Sequence, residues 1–153
     1  MCSKKYYAEA AENNLLDPHI RTLAAPRVGV LLVNLGTPAT ATAGDIRRYL
    51  AQFLSDQRVV ELPAALWQII LRCFVLPFRP RKLVPKYASI WMDQGSPLLV
   101  YSQAQAQGLQ QQLQAQGHSI PVRLAMRYGK PAMHDVLNEL TALGCERILM
   151  VPM

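Results

Sequence analysis

The chain has 153 residues, 51% of them hydrophobic, and a formal net charge of +6, which predicts one globular domain rather than a disordered chain. It contains no uncharged apolar run of about 18 residues, so no membrane span is expected. Cys2, Cys73 and Cys145 are odd in number and far apart, which indicates neither a disulfide framework nor a metal knuckle and suits a reducing cytosol. We expect two core thiols and one tail cysteine.

The positive charge is concentrated in one stretch. No acidic residue occurs from Leu62 through Met92, and this stretch contains five cationic residues: Arg72, Arg79, Arg81, Lys82 and Lys86. A basic surface can bind nucleic acid, an anionic membrane or an acidic ligand. Because no zinc finger, RNP motif or basic repeat is present, we expect no nucleic-acid partner.

Residues 1–26 are predicted to form a flexible leader, with a short helix near Tyr7 to Leu16. The first residues are charged, but no apolar segment follows them, so they do not read as a secretory signal. Several Asn and Pro residues interrupt any longer element, the last of them being Pro26. Residues 27–153 are predicted to form the folded domain.

The run from Val28 to Val33 is apolar and rich in β-branched valine, as in a strand buried on both faces. The segment Asn34 to Pro38 breaks the pattern, and Thr42 can cap a following helix. That helix has one apolar face, made by Ile46, Tyr49, Leu50, Phe53 and Leu54. A short extended stretch is predicted at Val59 to Pro63.

The stretch from Ala64 to Phe78 is apolar nearly all round, and only Gln68 and Arg72 interrupt it. It predicts either a helix buried under another part of the protein or a helix whose apolar side faces a membrane or an apolar ligand. The basic cluster Arg79 to Lys82 follows directly and suits contact with anionic lipid.

The rest of the chain predicts helices and strands in alternation. A helix capped by Ser102 and closed by Gly117 precedes a strand at Ile120 to Met126. A second helix begins at Pro131 and ends at Gly144, and a third strand covers Arg147 to Met153. These elements predict an α/β fold: a Rossmann-like open parallel sheet flanked by helices, with the first strand in the interior.

Ligands of such sheets bind beyond the carboxyl ends of the strands, so the loop from Asn34 to Pro38 should line a site. That loop has one glycine and no phosphate-binding pattern, which disfavours dinucleotide, nucleotide and flavin-phosphate binding. His19, His118 and His134 are scattered and have no partner at ligand spacing, so no metal site is predicted. The residues thus indicate a basic, aromatic-rich pocket without a catalytic acid or base.

Four segments at the strand ends strongly resemble the amino-terminal half of ferrochelatase in its proteobacterial form: Asn34 to Pro38, Phe53 to Asp56, Gly95 to Leu98 and Met126 to Gly129. The resemblance runs from about Val28 to Met153. It implies the first of two Rossmann-like lobes, with the porphyrin bound in the cleft between them. It also implies a cytoplasmic lyase that inserts ferrous iron, a substrate, into protoporphyrin IX to give protohaem, with no cofactor held by this half.

The resemblance assigns three porphyrin contacts to the ends of the first two strands. Leu35 would lie against the face of the macrocycle, and Arg127 and Tyr128 would reach toward it. This agrees with the chemistry, since a dianionic apolar disc needs arginine for its carboxylates and apolar side chains for its ring. Residues 64–82 would form the apolar lip of the cleft, with peripheral contact to the inner membrane.

Three further porphyrin contacts are implied outside these strands. Arg58 and Tyr87 would lie near the propionates or the ring edge, and Ser96 would hold the loop or a propionate. One departure concerns Gln57, because relatives of this type often have arginine at that position. Gln57 offers no guanidinium for the propionate contact that the family's arginine would make.

The family is about twice as long as this chain, and its metal-handling His and Glu lie in the other half. None of the three histidines here falls at a matching position, so no catalytic or metal-binding residue is assigned. The third strand ends without a following ligand loop, which favours a truncated chelatase lobe, inactive alone. The alternative is a non-catalytic fragment that binds porphyrin or a partner protein.

Overall fold

The computed structural model describes residues 27–153. The predicted leader, its short helix and Cys2 lie outside the described residues. Three parallel strands form one sheet in the order β2-β1-β3, with β1 at Val28–Gly36, β2 at Val122–Tyr128 and β3 at Arg147–Pro152. This confirms the predicted parallel α/β sheet with the first strand in its interior.

Helices cover both faces of the sheet and extend beyond its carboxyl end. Their bounds are α1 Ala43–Leu54, α2 Ala64–Ile70, a π-helical turn Leu71–Val75, α3 Leu76–Ala88, α4 Pro97–Ala115 and α5 Met133–Ala142. On one face of the sheet, Val30 and Leu32 of β1 pack with Ala106 of α4. On the other face, Leu31 packs with Leu140 of α5. The burial of β1 on both faces is therefore confirmed.

Helix α1 forms as predicted. The Thr42 hydroxyl accepts a hydrogen bond from the Asp45 backbone N–H, which satisfies one of the donors left unpaired at a helix start. Four of the five residues predicted for the apolar face are buried, and Phe53 is partly buried against them. Ser55 is the C-cap, so the helix ends just before Asp56.

The apolar stretch that starts at Ala64 continues as a helix to Ala88, ten residues beyond the predicted Phe78. A π-type bond from the Leu76 N–H to the Leu71 carbonyl widens the turn before Pro77, and Pro80 and Pro85 lie inside α3. Packing against α1 sustains the helix despite these prolines. One side of this helical segment is buried through Leu71 and Leu76, whereas Leu66, Ile69, Phe74 and Phe78 are exposed. The predicted contact of its apolar side with a membrane or an apolar ligand stays a prediction.

Several predicted boundaries are wrong. Helix α4 begins at Pro97 with Ser96 as its N-cap, because Ser-Pro is itself a strong helix start. Ser102, the predicted cap, is instead buried within α4. Helix α5 begins after Pro131, whose carbonyl accepts a hydrogen bond from the Met126 N–H and keeps this segment extended.

Two other predictions need correction. Cys73 is exposed on the helical segment and is not a core thiol, whereas Cys145 is buried as expected. The stretch predicted to be extended at Val59 to Pro63 is irregular. It follows a turn in which the Asp56 carbonyl accepts bonds from the N–H groups of Val59 and Val60. This turn lies beside the strand ends, where it brings Asp56 toward β2.

Candidate functional site at the strand ends

The ends of β1 and β2 approach each other closely. Gly36 pairs with Tyr128, and a Cβ atom at Gly36 would lie 1.8 Å from the Tyr128 carbonyl oxygen. The Gly129 N–H donates to Oε1 of Gln52, a residue of α1, at 2.9 Å. The end of α1 is thereby held against the end of β2, and this contact places Asp56 next to Arg127.

Asp56, Arg127 and Tyr128 form a closed network of hydrogen bonds. Asp56 Oδ2 accepts from Arg127 Nη2 at 2.6 Å and from the Tyr128 hydroxyl at 2.7 Å. Arg127 Nε donates to the same Tyr128 hydroxyl at 2.9 Å. The guanidinium carbon also lies 5.3 Å from the centre of the Tyr128 ring. The direction of the Arg127 side chain is therefore set by two neighbours.

The network favours the charged forms of the Asp56 carboxyl and the Arg127 guanidinium. The backbone N–H of Arg58, followed by the Arg127 guanidinium and the Tyr128 hydroxyl, holds the pKa of the Asp56 carboxyl well below its usual range. Hydrogen bonds with Tyr128 and Asp56 raise the pKa of Arg127. Because the Arg127 side chain remains 40% exposed, it can still meet an anionic ligand.

Two cavities meet at Arg127. The first, which we call the polar cavity, has a volume of about 430 Å³ and is lined by Gln52, Ser55, Asp56, Arg127, Tyr128 and Met133. The second, which we call the apolar groove, also has a volume of about 430 Å³ and is lined by Val33, Asn34, Leu35, Arg127, Met133, Met150, Pro152 and Met153. An apolar surface with a guanidinium at its border suits an apolar molecule that carries carboxylates.

Three of the six residues predicted for the site lie together here. Leu35 is half exposed at the end of β1 and lines the apolar groove with Arg127. Tyr128 lines the polar cavity, while its ring packs edge-on against Phe53 of α1. Arg58 is near them: its backbone N–H bonds to Asp56, and the residue is exposed.

Arg58 lines neither cavity, and the other two predicted residues, Tyr87 and Ser96, also line neither. Tyr87 packs into the α1–α3 core and lies edge-on to Trp91, with ring centres 6.2 Å apart. Burial raises the pKa of Tyr87, and burial also raises the pKa of the nearby Tyr49 to about 12. Ser96 is buried and accepts a hydrogen bond from the Leu99 N–H at the start of α4.

Sequence reasoning missed Asp56 and Gln52 as site residues, whereas Asn34 lines the apolar groove as the first residue of the loop predicted to line the site. Asp56 belongs to the segment Phe53 to Asp56 that carries the resemblance, but no role was predicted for it, although an Asp just after a helix end often accepts a hydrogen bond from the backbone N–H two residues on. Asn34 supports the loop, since its Oδ1 accepts from the Leu35 N–H and its Nδ2 donates to Ser102. The contact of Gln52 with Gly129 gives no local sequence signal.

Two kinds of feature are absent from residues 27–153. This part of the chain has no group of three or more His, Cys, Asp or Glu side chains that could hold a metal ion. None of the helices described is long and apolar enough to span a membrane.

Comparison with known proteins agrees with the motifs at the strand ends. The family model described as ferrochelatase matches residues 27–153, the whole of the described domain. The chain belongs to the ferrochelatase family. The resemblance seen in the four sequence segments is thereby confirmed, and the parallel sheet is consistent with that family.

The similar curated relatives include ferrochelatases of Bordetella pertussis and Bordetella bronchiseptica. Each is 52% identical over 150 residues, which cover 98% of this chain and 41% of the relative. The ferrochelatase of Bordetella parapertussis matches equally well, with 52% identity. The chain therefore spans about two fifths of the length of these relatives.

Proposed function

We propose that this chain contributes the porphyrin-binding wall of a ferrochelatase, a lyase of haem biosynthesis that inserts ferrous iron into protoporphyrin IX to give protohaem. The observation that carries the proposal is the apolar groove with Arg127 at its border, in a chain that belongs to this family. Protoporphyrin IX combines a flat apolar ring with two propionates. The groove and the guanidinium offer one partner for each.

In this proposal, Leu35 and the methionines of the groove contact the ring, and Arg127 binds a propionate. Arg58 is exposed beside Asp56 and is proposed as a second cation for the propionates. Tyr87 and Ser96 remain proposed contacts of the ring edge and the loop. Their support is the resemblance, because neither lines the groove. Fe²⁺ is a substrate in this reaction, and we propose no bound cofactor for this segment.

Titration of the 153-residue chain with protoporphyrin IX, followed by porphyrin and tryptophan fluorescence, tests the proposal. We expect saturable binding that is weaker for the dimethyl ester, because esterification removes the carboxylates that Arg127 would bind. Equal affinity for the diacid and the diester would contradict the proposed contact between Arg127 and a propionate. If neither compound gives saturable binding, the proposed porphyrin site is wrong.

A second readout separates catalysis from binding alone. The same samples are supplied with Zn²⁺ or Fe²⁺ under anaerobic conditions, and metalloporphyrin is followed by absorbance. We expect no insertion above the rate with heat-denatured chain, because the resemblance assigns proton removal and metal delivery to another part of the family's sequence. Insertion above that rate would show that these residues suffice for catalysis. If the chain binds porphyrin but inserts no metal, porphyrin binding is the function of these residues alone.

We also propose that residues 64–82 make peripheral contact with the inner membrane from the cytoplasmic side. Leu66, Ile69, Phe74 and Phe78 are exposed along α2, the π-helical turn and α3; we call them the apolar ridge. No acidic residue lies in this helical segment, whereas Arg72, Arg79, Arg81, Lys82 and Lys86 do. Exposed apolar side chains beside cations are the features that bind an amphipathic helix to anionic lipid.

Phe74→Asp should weaken binding of the chain to vesicles of phosphatidylglycerol and phosphatidylcholine by about tenfold or more, because the variant loses an aromatic side chain that would enter the lipid and gains a charge that anionic lipid repels. Cosedimentation with the vesicles measures this. Tyr101→Asp on α4 is the matched control, since Tyr101 is 62% exposed and Phe74 is 64% exposed. Equal binding of both variants, or equal binding to pure phosphatidylcholine, would contradict the proposed membrane contact.

A further inference from the structure

The carboxylate of Asp56 contacts both functional side chains at the end of β2 but lies on a different element. It follows α1, and it is 71 residues from Arg127 and 72 from Tyr128 in the sequence. Its other oxygen, Oδ1, accepts the Arg58 N–H at 2.9 Å, so the carboxylate is itself fixed by its own turn. A fixed acceptor of this kind can hold a long, rotatable arginine in one orientation.

We propose that Asp56 is a positioning residue for porphyrin binding, which holds the Arg127 guanidinium at the border between the polar cavity and the apolar groove. This inference rests on the proposed function, because it concerns how the same site selects a carboxylate. Asp56 does not itself contact the porphyrin in this proposal. It acts through Arg127 and through the hydroxyl of Tyr128.

The assignment of hydrogen-bond donors supports this role. Asp56 engages Nη2 of Arg127, and the Tyr128 hydroxyl engages Nε. Within residues 27–153, Nη1 donates to no side chain or carbonyl in a hydrogen bond, and it therefore remains to meet a ligand. An arginine held at two of its nitrogen atoms loses less rotational freedom when it binds a carboxylate than an arginine that moves freely.

Another role for Asp56 is to join α1 to the sheet, and the experiment must separate this from positioning. A joining role would alter the binding of any porphyrin, because the whole wall of the site would move. A positioning role acts on the carboxylate contact alone. The ratio of the affinity for protoporphyrin IX to the affinity for its dimethyl ester distinguishes the two, because a fraction of unfolded chain affects both affinities equally.

The test is Asp56→Asn in the 153-residue chain. Asparagine keeps an oxygen for the Arg58 N–H and removes the charge that holds Arg127. We expect the diacid-to-diester ratio to fall about fivefold, since a charge-assisted contact is lost while the ring contacts stay. Asp56→Glu should restore part of the ratio. In an Arg127→Ala background, Asp56→Asn should cause no further fall, because its effect passes through Arg127.

Glu139→Gln is the matched control. Glu139 binds Arg123, another arginine of β2, at 2.6 Å, and lies outside both cavities. This variant also frees an arginine of the same strand and should leave the ratio unchanged. An unchanged ratio in Asp56→Asn, whether or not both affinities fall, would overturn the positioning role of Asp56. The proposed function would still stand in that case if the wild type binds the diacid more tightly than the diester. Absence of that preference in the wild type would instead count against the proposed function.

Discussion

Arg127→Ala will weaken binding of protoporphyrin IX to the 153-residue chain by about tenfold, the scale of one charge-assisted contact that is partly open to solvent. The reason is position: Arg127 lines both the polar cavity and the apolar groove. Fluorescence titration with the diacid and the diester measures the change. Binding of the diester should change much less, because it offers no carboxylate to Arg127.

Arg123→Ala is the control for this prediction. Arg123 lies four residues earlier on β2 and is also paired with a carboxylate, that of Glu139. Both variants lose one arginine and one exposed ion pair from the same strand, so both should have similar and small effects on stability. Only Arg127 lies at the carboxyl end of the strand. Equal losses of porphyrin affinity would refute the assignment of the site to the strand ends.

Gly36→Ala will destabilise the domain by about 3 kcal/mol or more, the scale expected when backbone strain and steric overlap combine. Gly36 has a φ of 113°, which L residues other than glycine rarely adopt. A Cβ atom there would also overlap the Tyr128 carbonyl carbon at 2.8 Å and its oxygen at 1.8 Å. Because these are backbone atoms, β1 and β2 would have to separate at the site. Urea denaturation followed by circular dichroism measures the loss.

Gly108→Ala makes the same chemical change in α4, where a Cβ atom meets nothing within 4 Å. This variant should gain about 0.5–1 kcal/mol, because alanine favours a helix over glycine. The opposite signs of the two variants are the diagnostic result. If Gly36→Ala unfolds at the same urea concentration as the wild type, the close approach of β1 and β2 described above is wrong.

Local patterns in the sequence were sufficient for much of the fold. The apolar run of β1 and the capped, one-faced helix α1 depend on neighbours within a few residues, and both were predicted correctly. Local patterns failed where two signals competed. Ser102 was predicted as the cap of α4, but the structure has Ser96 as the N-cap, because Pro97 after it favours a helix start. The predicted helix stopped at Phe78, whereas packing against α1 sustains it to Ala88 although Pro80 and Pro85 lie inside α3.

The residues of the candidate site also fall into those that local sequence patterns predicted and those that only the tertiary structure brought to the site. The sequence alone predicted that Leu35, Arg127 and Tyr128 lie near the carboxyl ends of two parallel strands, and the carboxyl ends of parallel strands meet at one edge of a sheet. Only the tertiary structure decided that Asp56 joins them and that Tyr87 and Ser96 line neither cavity. Asp56 meets Arg127 because Gln52 and Phe53 dock α1 against the end of β2. Contacts between elements so far apart in the chain are set by packing, which has no local periodicity for a sequence to reveal.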